Sequence, residues 1–79
     1  MRITRKTVVK HGVAGYRACV TFNHQTENAK VSKMCRLMAQ DFGWDLLQCY
    51  DSLICFLQNE HEYNRFCADW NKCFANIEK

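Results

Sequence analysis

The side chains with chemistry to offer are six cysteines, three histidines and eight carboxylates, and their spacing decides what that chemistry could be. Cys49 and Cys55, like Cys67 and Cys73, are separated by five residues, too far for the close ligand pairs of common zinc modules, and no CxxC occurs. His61 precedes Glu62 without an HExxH pattern, and His11 and His24 belong to the hairpin region. A thiol nucleophile needs exposure, a lowered pKa and a base nearby. Cys19 is the cysteine that strand periodicity turns outward, with Arg17 and Thr21 beside it; the arginine favours a thiolate, yet an ordinary surface thiol is the simpler reading. Glu60 and Glu62 fall in the first turn of a helix, where they complement the macrodipole. Glu27 and Lys30 stand one turn apart, as a local ion pair does. There is no phosphate loop, dinucleotide fingerprint or serine elbow. No catalytic, metal or cofactor site is therefore expected, and the chain reads as a non-enzyme.

The elements that would position these residues follow from periodicity. Residues 2–11 and 16–23 concentrate Val, Ile, Thr, Tyr and Phe, and "GVAG" between them supplies glycines for a turn, which predicts a β-hairpin. In its second strand Tyr16, Ala18, Val20 and Phe22 share the core face, leaving Arg17, Cys19, Thr21 and Asn23 on the other. From about Thr26 to Phe42 the period lengthens: Val31, Cys35, Met38 and Phe42 mark a helix, with Met34 beside them and Gly43 at its C-terminal cap. Residues 44–50 and 53–57 read as two further strands joined through Asp51 and Ser52, the second apolar enough for a sheet interior. "NEHE" then offers a capping box on Asn59 and Glu62. Behind it Tyr63, Phe66, Cys67, Trp70, Phe74 and Ile77 form one helical stripe.

The predicted order is ββαββα: an α+β two-layer sandwich, with a four-stranded antiparallel sheet and two helices on one face. One domain covers residues 1–79. Apolar types make up 48% of the chain and proline is absent, so it has the material for a core and none for a linker. No run approaches the roughly 18 consecutive apolar residues of a membrane span. A basic start without an apolar region behind it predicts a cytosolic protein with no membrane partner. In that compartment the cysteines, most of them on apolar periodic positions, are expected to be reduced core residues.

Charge is unevenly spread. Arg2, Arg5, Lys6, Lys10, Arg17, Lys30, Lys33 and Arg36 are opposed by Glu27 alone through residue 36, whereas acids prevail afterwards, within a net charge of +3. A solvated face is the plain explanation, and an acidic protein or a nucleic acid is what such a face would attract. Three observations weigh against nucleic acid. The helix cations should point away from the sheet's open face, Tyr16 should be in the core, and neither a GXXG loop nor an RNP sequence is present. A binding role remains, with Arg2, Lys6, Lys10, Arg17, Cys19, Thr21, Lys30 and Lys33 as the candidate contact residues. A host protein or protein complex is the expected partner, with a homodimer through the same face as its mildest version.

In size, thiol content and lack of catalytic motifs, the chain resembles the small accessory proteins encoded by bacteriophages and mobile elements, among them inhibitors of host nucleases and of CRISPR effectors. The resemblance is one of general character and assigns no residue a role. It implies a host nucleic-acid-handling complex as the target.

Overall fold

A computed structural model describes residues 2–77. The elements are β1 (Arg2–Lys10), β2 (Val13–Thr21), α1 (His24–Phe42), β3 (Leu47–Gln48), β4 (Ser52–Leu57) and α2 (Glu60–Ile77). The strands form one antiparallel sheet in the order β1-β2-β4-β3. The fold is thus the α+β arrangement that the hydrophobic periodicities predict. No described helix is long and apolar enough to cross a membrane.

The hairpin turn uses only the first glycine of "GVAG". Lys10 pairs with Val13, leaving His11 and Gly12 as a two-residue loop. Both have positive φ, 55° and 78°. This combination defines a type I′ turn, whose twist matches that of the strands it joins. β2 therefore begins at Val13, and Gly15 is a strand residue paired with Val8. Gly15 is there because the backbones crowd: a Cβ would lie 2.7 Å from the Leu57 carbonyl oxygen. Gly15→Ala is expected to destabilise the fold by roughly 1–3 kcal/mol, as overpacking against backbone does. A lowered urea midpoint with an unchanged slope would verify it.

α1 starts two residues before the predicted point. Asn23 is its cap: the Asn23 side chain accepts from the Gln25 N–H at 3.0 Å, and Glu27 Oε1 accepts from the Asn23 N–H at 2.9 Å. That backbone bond holds the Glu27 carboxyl below its ordinary value. His24 consequently belongs to α1 rather than to the hairpin; it stacks on Tyr50 at 4.0 Å, with Nδ1 2.8 Å from the Tyr50 carbonyl oxygen. At the other end Gly43 adopts φ 77° as the left-handed cap. α2 is capped by Asn59, whose Oδ1 accepts from the Glu62 N–H at 2.9 Å.

The largest departure is the third strand, predicted over 44–50 and observed over Leu47–Gln48 alone. Trp44 leaves the strand path for the helix layer, where its indole N–H donates to the buried Asp69 carboxylate at 2.8 Å. Its ring meets Phe66 edge-on at 5.6 Å. Gln48 instead pins the short strand to α1, its amide donating to Ser32 and Asn28.

Both helices cover the same side of the sheet. Ala18 and Val20 of β2 with Leu53, Cys55 and Leu57 of β4 meet Val31, Met34 and Met38 of α1 and Phe66, Trp70 and Cys73 of α2 in one core.

Candidate binding face

Among the described residues no element covers the other side of the sheet. Because side chains alternate, the register lays that face out in rows across the strands. The middle row is Lys6, Arg17 and Phe56; the next toward β3 is Thr4, Cys19, Ile54 and Leu47; beyond it come Arg2, Thr21 and Ser52. In the other direction Val8 faces Gly15, and Lys10 faces Val13 at the hairpin tip. No carboxylate occurs in any row.

Of the candidate contact residues, the structure gathers six on this one surface: Arg2, Lys6, Lys10, Arg17, Cys19 and Thr21. Lys30 and Lys33 are not among them. They lie on α1, in the opposite layer, where Lys30 sets its ammonium 4.4 Å from the centre of the Phe74 ring on α2. Arg5, whose side chain leaves β1 on the covered side, is engaged internally, 3.8 Å from Glu60 and over the rings of Tyr16 and Tyr63. By contrast, among the described residues no carboxylate pairs with Arg2, Lys6, Lys10 or Arg17. Arg17 carries a further cost: its Nε is shut off from water and has no hydrogen-bond partner.

The face also holds apolar groups that sequence reasoning did not nominate. Phe56 is 46% exposed, Leu47 60% and Val13 68%. Phe56 was hidden within an unbroken apolar run; counting by twos from Leu53 puts Leu53, Cys55 and Leu57 inside and leaves Ile54 and Phe56 outside. Lys10 reaches diagonally over bare Gly15 to place its ammonium 4.1 Å from the centre of the Phe56 ring, a cation–π contact. Both residues line a groove of about 670 Å³ that also takes in Val13, Gln58 and Asn59.

The thiols divide by position. All six are free; Cys55 and Cys73 are buried, but Cys49 is exposed in the turn before β4 and departs from the expected core placement. On the open face Cys19 is half-buried between Thr4 and Ile54, and no histidine or carboxylate adjoins it in the register to serve as a base. Among the described residues no group of three His, Cys, Asp or Glu side chains could hold a metal ion.

Burial, reinforced by the charges of Asp45 and Glu62, pushes the Cys55 thiol up to about 11 from an ordinary value of 9.0. Burial raises Cys35 and Cys73 as well. A raised folded-state pKa contributes stability that is intact below the unfolded value and lost as pH climbs through the folded one. Unfolding free energy should accordingly fall between pH 9 and 11, by an amount on the order of 2 kcal/mol from Cys55. Urea titrations across that range would test this, and Cys55→Ala should flatten the decline.

No protein-family profile matches the chain, and neither a curated protein nor a solved structure matches it.

Proposed function

We propose that this chain is a non-enzymatic binding module that lays the open face of its sheet on a partner protein. On this reading it is a phage-type inhibitor of a host nucleic-acid-handling or defence complex, such as a nuclease or CRISPR effector. The observation that carries the binding role is the composition of the face: cations and exposed apolar side chains together, without one acid. A face that was merely solvated would have no use for Phe56, Leu47 and Val13 among its charges. The unsatisfied Arg17 Nε at its middle is a cost with no return in the isolated chain. An acidic surface with apolar patches is the complement of such a face.

The test is capture from the native host's lysate, after nuclease treatment, with wild-type protein and an Arg17→Glu variant in parallel. The proposal requires one host component, held at a discrete stoichiometry by the wild type and released by the variant. Equal capture by both would end it.

A second reading rests on Phe56, an exposed ring between Lys10 and Arg17, which is the pairing on which single-stranded nucleic acids stack. It predicts affinity for an oligothymidylate that falls with salt at a logarithmic slope of about −0.7 per phosphate contacted. A flat titration at low salt would remove it.

A further inference from the structure

The face has one long free margin. β1 is an edge strand of nine residues, matched one-to-one with β2 from Arg2↔Thr21 to Lys10↔Val13 without a bulge. The opposite margin, β3, has two residues and is tied down through Gln48. The two-residue turn fixes which backbone groups of β1 are spent. Lys10 and Val13 form the hydrogen-bonded pair closing the hairpin, so alternate residues back to Arg2 bond to β2. The amides and carbonyls of Ile3, Arg5, Thr7 and Val9 therefore point out of the sheet. They form a template for another strand.

We infer that this margin takes up an extended acidic segment of the partner as a fifth, antiparallel strand. The inference rests on the binding role proposed above and names the partner's chemistry and its mode of docking. Side chains directly opposite one another on paired strands share a face. Arg2, Lys6 and Lys10 thus call for carboxylates on one side of the incoming strand. Ile3 and Val9, the latter 72% exposed, call for apolar residues on the other. The complement is a segment alternating acidic and apolar residues. A second copy of β1 is the wrong occupant, since it offers these cations no carboxylate in any register, and the full-length antiparallel pairing, centred on Lys6, sets that lysine against itself and Arg2 against Lys10. A nucleic acid cannot supply the ladder.

The experiment is amide hydrogen exchange by NMR on the whole protein, alone and with a synthetic peptide alternating glutamate and valine. A lysine–valine peptide of equal length serves as control. In the free protein the Arg5, Thr7 and Val9 amides should exchange quickly while those of Lys6 and Val8 are protected. The glutamate peptide should protect the first set, and the lysine peptide should not. Thr7→Pro removes one outward N–H at an edge position that tolerates proline, and should weaken peptide binding roughly two- to tenfold, the worth of a hydrogen bond. Lys6→Glu should weaken it as well and leave the edge amides intact as reporters. The inference fails if neither peptide protects those amides, or if both do. It fails, too, if the glutamate peptide shifts only Arg17 and Phe56 resonances, a result that leaves the binding face itself standing. Binding of an oligothymidylate but not of the glutamate peptide also overturns it.

Discussion

Phe66→Ala should abolish cooperative unfolding or bring the protein close to that limit. Phe66 is fully buried and lies between Trp44, met edge-on at 5.6 Å, and Trp70, stacked at 6.2 Å. It therefore ties α2 to the segment following α1, and it sits in the core that α2 shares with β2 and β4. Truncating a buried phenylalanine costs about 3–5 kcal/mol, because the cavity adds to the lost transfer energy. A chain of this length has a total stability on the order of 4–12 kcal/mol. The loss is thus a large fraction of the whole. Urea denaturation followed by far-ultraviolet circular dichroism and tryptophan fluorescence should show a broad, early transition for the alanine variant and a smaller shift for Phe66→Leu. An unchanged midpoint would mean that the aromatic stripe of α2 is not what holds the layers together.

The second large effect is on binding. Arg17→Glu should cut affinity for the captured partner by at least about tenfold, since charge pairs that close at interfaces couple by roughly 1.5–7 kcal/mol. Its effect on the fold should have the opposite sign. Lys6 lies directly across from Arg17, and like charges so placed repel, whereas opposite charges attract by about 0.2–1 kcal/mol. The substitution also removes the Nε that lacks a partner. Melting temperature should hold or rise while binding collapses, a separation that general unfolding cannot imitate. A variant that binds as tightly as wild type would take Arg17, and with it the middle of the face, out of the interface.

What could be read from the chain itself was whatever repeats over many residues. The stripe from Tyr63 to Ile77 and the run from Val31 to Phe42 each extend over several turns, so chance alignment is small and the helices lie where period predicts. In β2 the inward pair Ala18 and Val20 is likewise as the alternation has it. Short signals misled. "GVAG" has two glycines, but the turn is made by His11 and Gly12, because histidine tolerates the left-handed region well enough for Gly12 to do the rest. Asn23 and Glu27 form a cap that the strand pattern running through Asn23 masks. The tract from Trp44 to Tyr50 has strand composition, yet a single tertiary bond from Trp44 to Asp69 takes its first residues elsewhere; no local rule carries that information. On the open face, Arg17 is legible by counting in twos along β2, whereas "VV" at 8 and 9 breaks the alternation in β1 and leaves the face of Arg2, Lys6 and Lys10 to the observed register. Phe56 is not legible either, since an unbroken apolar run looks the same whether one or both of its sides are covered.

The strand order has a consequence for how the chain is made. β4 sits between β2 and β3, so the sheet stays split until residue 57 has been synthesised, and the aromatic stripe that closes it arrives later still. Until then Ala18, Val20, Met34 and Met38 have only one another, without the β4 and α2 side chains that complete their core. Ribosome-bound chains ending before α2 should be the ones that chaperones hold and proteases cut, and premature termination there would release a sticky fragment rather than a weakened version of the protein.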